Sequence, residues 1–303
     1  MRIVVTGASG LIGSTLVPAL RADGNAVSTL VRRPPRADGE IRWDPTAGQL
    51  DPADLAGTEA VVHLAGAGIG DRRWTDSYRR VLRESRLVST DLLTRTLARL
   101  DPPPRVLLAG SAVGWYGTDA HGAAGPLDES APAGSGFLAR LVEDWEAAAE
   151  PARAAGIRVS TLRTGVVLST RGGSLARQLP LFRFGVGGRL GSGRQWLSWI
   201  SLPDHVAATR FLLGADAPAG PVNLVAPEPV TNTRFTSALA AALHRPAFAA
   251  VPGFALRAVL GGFADEGVLA SQRLAPAALR AAGFGFAHPD IDTALRALLS
   301  TDG

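Results

Sequence analysis

The 303-residue sequence predicts an α/β fold: a doubly wound parallel sheet followed by a small, mainly helical C-terminal domain. Three observations predict it. Arg2-Ile3-Val4-Val5 reads as a short apolar strand, Thr6-Gly7-Ala8-Ser9-Gly10-Leu11-Ile12-Gly13 follows at once, and an amphipathic helix then runs to about Asp23. Strand-like and helical segments alternate through the first half, the pattern of a parallel sheet covered on both faces. From Thr170 onward the character changes to a glycine- and arginine-bearing stretch, and then to short helical segments.

The first corner carries the most information. Strand, glycine-rich turn and helix in that order form the phosphate-binding corner of a dinucleotide (Rossmann) fold. Gly7 permits the tight turn, Gly10 lets the backbone approach a pyrophosphate, and Gly13 lets the helix lie close to the strand. Free N–H groups and the positive end of the helix dipole then face the phosphates. This assigns Thr6, Gly7, Ser9, Gly10, Leu11, Ile12 and Gly13 to a cofactor site.

Ala26–Val31 is the second strand, Ile41–Trp43 a short third, and Ala60–Leu64 a buried strand ending in Ala65-Gly66. The segment from about Thr75 to Leu100 places Val81, Leu82, Leu87, Leu92, Leu93 and Leu97 on one helical face. Asp101-Pro102-Pro103-Pro104 ends it. Arg105–Ala109 is the next strand, Phe137–Ala155 the next helix, and Arg158–Leu162 the strand after that. Gly172 to Gly193 reads as a flexible segment, followed by one strand over Trp196–Ile200. Leu202–Leu213 is a helix and Pro221–Val225 a strand. Helices are expected over Asn232–Leu243, Phe254–Leu260, Pro276–Ala282 and Ile291–Leu299. The reading divides the chain into a dinucleotide-binding domain, 1–225, with a Gly/Arg-rich insertion near 170–200, and a small domain, 226–303.

Composition narrows the class. Hydrophobic residues make up 46% and charged residues 19%, ordinary for an enzyme-sized globular chain. No apolar run is long enough to span a bilayer, and no charged-then-apolar leader precedes the first strand, so a cytoplasmic location is expected. Without cysteine there is no disulfide framework and no thiolate chemistry. The histidines (His63, His121, His205, His244, His288) are scattered without metal-ligand spacing, so no metal is expected. The net charge is only +4, and every basic side chain is arginine, spread along the chain without a basic stripe. Nucleic-acid binding is not expected.

The glycine pattern, His63-Leu64-Ala65-Gly66 and Tyr116-Gly117 resemble the extended short-chain dehydrogenase/reductase superfamily. The chain is more similar still to its atypical epimerase-family subgroup, over nearly its whole length. The marks are Leu64-Ala65-Gly66, Arg73-Trp74, Ser85-Arg86, Ser111-Ala112-Val113-Gly114-Trp115-Tyr116-Gly117 and Asp144-Trp145-Glu146. Arg163-Thr164-Gly165-Val166-Val167-Leu168, Gly187-Gly188-Arg189-Leu190-Gly191-Ser192-Gly193-Arg194-Gln195-Trp196, Pro221-Val222-Asn223 and His244-Arg245-Pro246 continue it. The resemblance implies fold and cofactor strongly and substrate hardly at all. It adds Leu64, Ala65, Gly66, Arg86, Thr164, Gly165 and Val166 to the expected cofactor site, and suggests a homodimer through the two long helices.

Cofactor choice follows from the residues themselves. An NAD site places Asp or Glu at the end of the second strand to accept from the ribose 2′-hydroxyl. This strand ends in Val31-Arg32-Arg33, with no carboxylate before Asp38. Two guanidiniums suit a 2′-phosphate, so NADP(H) is expected, with Arg32 and Arg33 as its readers.

The superfamily's proton chemistry is missing. Most members use a Tyr with a Lys four residues on, plus a Ser or Thr at the end of the fifth strand; the Lys lowers the Tyr pKa. This chain has no lysine. In the matching register Phe137 replaces Tyr and Leu141 replaces Lys, and the Ser position falls on Ala112 or Ser111. Three readings stay open. Tyr116 or Ser111 donates the proton, with Arg86 or Arg163 lowering a phenol's pKa; the proton comes from water or the substrate; or the protein binds NADP(H) as a sensor and catalyses nothing. Trp74, Trp115, Phe137, Arg163, Arg189, Arg194, Gln195 and Trp196 are expected around a small-molecule substrate. The two loop arginines hint at an anionic or hydroxylated one. Glu143, Asp144 and Glu146 read as surface or positional charges, and Trp43 and Trp145 as core.

Overall fold

The computed structural model describes residues 1–120 and 125–300. His121 lies outside them. Seven parallel strands form the central sheet: β1 (Arg2–Thr6), β2 (Ala26–Val31), β3 (Glu40–Arg42), β4 (Ala60–His63), β5 (Val106–Ala112), β6 (Arg158–Thr164) and β7 (Gly220–Leu224). Their order is β7-β6-β5-β4-β1-β2-β3. The order reverses between β1 and β4, so the ligand crevice of such a sheet opens above the carboxyl ends of these two strands.

Alternation along each strand sorts the core into two layers. Ile3 and Val5 pack with Leu16 and Leu20 of α1 (Gly13–Ala22), and with Val206 and Leu212 of α6 (Leu202–Leu212). Val4, Val61 and Leu107 face the other way, toward Leu93 and Leu97 of α2 (Asp76–Leu97) and Ala152 of α4 (Glu150–Ala154). The expected helix over 137–155 is two helices: α3 spans Phe137–Ala147, and α4 restarts with Pro151 in its first turn, where its missing N–H costs nothing.

Two other expectations are corrected. Part of the stretch read as flexible is α5 (Gly173–Arg183), which buries Leu175, Leu179 and Phe182. Their i, i+4, i+7 spacing is a helical stripe, masked in the sequence by the glycines on either side. The expected strand over 196–200 is two short strands in different sheets. Trp196–Leu197 pairs antiparallel with Val230–Thr231, and Trp199–Ser201 pairs parallel with Val166–Leu168. Between them the Ser198 hydroxyl donates to the Gln272 carbonyl and accepts from the Leu274 N–H, which turns the chain from one partner to the other.

The C-terminal helices are α7 (Asn232–Ala242), α8 (Gly253–Leu260), α9 (Ala277–Ala281) and α10 (Ile291–Ser300). Phe235 and Leu239 of α7 and Leu295 and Leu298 of α10 share a second core with Trp199 and the apolar stripe of α5. The 170–200 insertion and the C-terminal segment thus fold around one another. Among the described residues no helix is long and apolar enough to cross a membrane.

Candidate cofactor and active site

The glycine corner has the geometry its sequence requires. Gly7 has φ +69°, and a Cβ there would stand 2.7 Å from the Leu64 carbonyl. A Cβ on Gly13 would overlap the Gly7 carbonyl oxygen and come within 2.7 Å of Ala8 Cα. Both positions exclude any side chain. Ser9 and Gly10 are exposed, and Leu11 and Ile12 pack half-buried against the core. At the N-terminus of α1, Ile12 offers no side-chain cap and the first turn holds no acid. The N–H groups of Ser14 and Thr15 go to the carbonyls of Gly10 and Ile12, which leaves those of Leu11, Ile12 and Gly13 for an anion.

Thr6 has a different place. Its buried hydroxyl oxygen accepts from the N–H groups of Leu64 and Ala65, each at 3.1 Å. Its own proton goes to His63 Nδ1 at 2.7 Å. That fixes the tautomer: His63 carries its proton on Nε2 and donates to Thr90 Oγ1 at 2.9 Å. Trp145 Nε1 also donates to Thr90 Oγ1, at 3.0 Å. Burial pushes His63 down to about 4, so the ring is neutral at pH 7. This chain of hydrogen bonds ties β1, β4, α2 and α3 together and sets the path of 64–66 along the crevice.

Arg32 and Arg33 part company. Arg33 forms a bidentate pair with Glu40, at 2.7 and 2.5 Å, and Glu40 also accepts from the Arg36 N–H. Arg32 is exposed and, among the described residues, has no partner. The partner of Arg33 went unrecognised in the sequence because Glu40 lies past two prolines, at the start of β3.

Arg86 is 9% exposed, donates among the described residues only to the Leu82 carbonyl of its own helix, and lies over the Trp145 ring with its Cζ 5.1 Å from the centroid. A Cβ on Gly66 would stand 3.3 Å from its guanidinium carbon. Burial without a carboxylate partner pulls Arg86 down to about 10. An unpaired buried cation beside the Leu64-Ala65-Gly66 strand end calls for an anion there.

Ser111, Arg163 and Asn223 stand side by side across β5, β6 and β7. Arg163 is 2% exposed and makes a bidentate pair with Glu146 of α3, at 2.9 and 3.0 Å. Ser111 Oγ donates to Glu146 Oε1 at 2.6 Å. Tyr116 accepts from Arg163 at 3.2 Å and donates to Asn223 Oδ1 at 2.7 Å. The Arg163 guanidinium stacks on Trp115, 3.9 Å from the ring centroid. The hydroxyl protons of both proton-donor candidates are thus already given to protein acceptors. Burial pushes the Tyr116 phenol above its ordinary value, outweighing the downward pull of Arg163. The expectation that a neighbouring arginine would leave a lowered phenol is corrected. Of the two readings of Glu146, surface or positional charge, the geometry favours the second: its side chain is 11% exposed and it balances Arg163. Asp144, one turn face away, does bond outward, to Arg83.

The remaining expected pocket residues fall into three places. Trp74 is buried and meets Phe137 edge to face at 5.2 Å, with Phe263 on its other side. Glu266 receives the Phe137 and Leu138 N–H groups at 3.0 and 2.7 Å, supplying the cap that Gly136 cannot give α3. Gln195, Trp196 and Val166 line one cavity between the ends of the central strands and the C-terminal part. Thr164 bonds His205 at 3.2 Å, and Gly165 lies against the Ser198 carbonyl with no room for a side chain. Arg189 and Arg194 are exposed; Arg189 donates to the Ser192 carbonyl of its own loop at 2.8 Å. Asn232 and Gln272 were missed in the sequence, because polar residues outside a recognised motif carry no local signal; Asn223 stood there only as a mark of the family, without a role.

The model of the NAD dependent epimerase/dehydratase family matches residues 3–225. The chain belongs to that family. A second model, a domain of unknown function (DUF1731), matches residues 251–298. An epimerase family protein of Mycobacterium bovis is 47% identical over 293 residues, covering 97% of this chain and 96% of its own. The human epimerase family protein SDR39U1 is 34% identical over 305 residues, covering 99% of this chain and all of its own. A crystal structure of human SDR39U1 (isoform 2) with NADPH superposes with a TM-score of 0.87 at 32% identity, covering 99% of each chain. Within the family fold, Phe137 and Leu141 occupy the first turns of α3 as apolar residues; Leu141 is buried.

Proposed function

We propose that this chain binds NADP(H) and acts as an oxidoreductase or epimerase-like enzyme on a small polar metabolite. The observation that carries the cofactor reading is the pairing of an uncapped glycine corner with a free guanidinium, Arg32, at the end of β2. The residues fit the group. The α1 N-terminus receives a pyrophosphate, Arg32 a 2′-phosphate, and Arg86 supplies an unpaired positive charge beside Gly66. The NADPH bound to human SDR39U1 supports the same choice. When bound, the nicotinamide supplies or accepts a hydride.

This chain's own part is positioning and exclusion. The Thr6–His63–Thr90 bonds hold 64–66, and the Ser111–Glu146–Arg163 network holds the floor beneath 113–116. With Phe137 and Leu141 in place of a Tyr-Lys pair, the proton of any reduction comes from water or from the substrate itself. One observation favours a second reading, a non-catalytic NADP(H) sensor: the hydroxyls of Ser111 and Tyr116 are spent inside a buried network.

Side-by-side fluorescence titration with NADPH and NADH, followed by NADPH consumption against a panel of carbonyl metabolites, tests both. NADPH is expected to bind about tenfold tighter or more, one charge-assisted phosphate contact's worth. Equal or tighter NADH binding overturns the NADP(H) reading. Tight NADPH binding with no consumption across the panel favours the sensor.

A further inference from the structure

Two helices start at the same place. The beginnings of α1 and α5 meet at Leu11: a Cβ on Gly172 would stand 3.1 Å from the Leu11 side chain, and one on Gly173 3.4 Å from it. Neither helix has a side-chain cap, and neither holds an acid in its first turn. Gly173 and Ser174, which open α5, are exposed. Two positive dipole ends thus converge on the glycine corner.

A cation joins them. Arg171, in the loop that leads into α5, donates to Thr15 Oγ1 of α1. Thr15 Oγ1 in turn donates to the Leu11 carbonyl at 3.4 Å, because side chains on a helix lean toward its N-terminus. The guanidinium is therefore held over the first turn of α1, at the level of Leu11. Leu11 also carries the first of the N–H groups that the start of α1 leaves open, ahead of those of Ile12 and Gly13. The loop is itself fixed: the Arg171 N–H donates to Ser169 Oγ at 3.1 Å, and Ser169 and Gly172 form a bridge across the turn.

Among the described residues, the Arg171 guanidinium has no acceptor besides Thr15 and no carboxylate partner. Other surface arginines of this chain are paired: Arg33 with Glu40, Arg95 with Asp91, and Arg210 with Asp23. Arg171 instead stands beside two helix N-termini, where a positive charge has the wrong sign. An anion bound among the three reconciles them.

We propose that Arg171 and the start of α5 complete the diphosphate site of the cofactor, adding to the glycine corner a clamp from the 169–173 loop. The guanidinium has donors to spare: one N–H stays on Thr15, and the others are open to phosphate oxygens. The inference rests on the NADP(H) reading and extends it, since Arg32 addresses the 2′-phosphate and Arg171 the bridging phosphates.

Fluorescence titration of the full chain with NADPH tests this in four variants. Arg171→Gln removes the charge and is expected to weaken NADPH about tenfold, one charge-assisted phosphate contact. Arg171→Lys keeps the charge and is expected to stay within about threefold of the parent. Arg32→Ser combined with Arg171→Gln is expected to lose the product of the two single losses, because the two cations serve different phosphates. Affinity in Arg171→Gln within about twofold of the parent overturns the proposal. So does a loss in Arg171→Lys as large as in Arg171→Gln, or a double variant no weaker than Arg32→Ser alone. A loss absent from Arg32→Ser but present in Arg171→Gln upholds the clamp and sinks only the assignment of Arg32. A parent that does not bind NADPH ends the NADP(H) reading and the clamp together.

Discussion

Glu146→Gln is the sharpest test of the buried network. The substitution keeps length and one oxygen, but turns an amide N–H2 toward the Arg163 guanidinium that Glu146 now meets at 2.9 and 3.0 Å. Arg163 cannot shed its charge and, with a side chain 3% exposed, cannot reach water without breaking its stack on Trp115. Removing one partner of such a pair costs about 3–5 kcal/mol. The 11% exposure of Glu146 places the expectation near the lower end, about 3 kcal/mol. In urea, with a slope of about 3 kcal/mol per molar for a chain of this size, the midpoint falls by about 1 M. Far-UV dichroism and tryptophan emission, read together, follow it. A second variant isolates the cause: Glu146→Leu with Arg163→Met removes both charges and is expected to be more stable than Glu146→Gln alone. A midpoint within about 0.3 M of the parent, or a double variant less stable than the single, refutes the claim that Glu146 exists to balance Arg163.

Other consequences are equally direct. Arg32→Ser is expected to weaken NADPH about tenfold and leave NADH nearly unchanged; equal losses would place Arg32 away from the 2′-phosphate. His63 and His205, both held near 4 by burial against an ordinary 6.5, are neutral when folded, so between these values the unfolded chain binds the extra protons. Stability is therefore full above pH 6.5 and falls toward pH 4 by about 3 kcal/mol per histidine. Unfolding free energies flat across that window in His63→Asn and parent alike would contradict it. Tyr116→Phe leaves Asn223 Oδ1 without its donor and is expected to cost about 1–2 kcal/mol in denaturant while NADPH affinity stays within about twofold. A selective loss of NADPH consumption in that variant would return Tyr116 to the chemistry.

The sheet was legible in the sequence because β1, β4 and β5 hold short apolar runs and strand-like segments alternate with helical ones, and the glycine corner because each glycine answers a local steric demand. α5 was hidden because its stripe of Leu175, Leu179 and Phe182 sits between glycine clusters that read as breaks. The site was legible where it is local, at 6–13 and 64–66. It was illegible where it depends on pairing across the sheet. Arg163, Ser111 and Asn223 become neighbours only once β5, β6 and β7 take their register, and Glu146 reaches them from α3. Asn232, which receives the Leu190 N–H, was invisible for the same reason.

Glu266 has a consequence for how this fold can change. Helix α3 begins at a glycine that cannot cap it, and its first N–H groups are received by a carboxylate that arrives more than a hundred residues later. The C-terminal segment is thus not an appendage that can be shed or exchanged. A descendant lacking it would first need a serine or aspartate at position 136, where the backbone, at φ +112°, favours glycine. That single helix start binds the inheritance of both halves together.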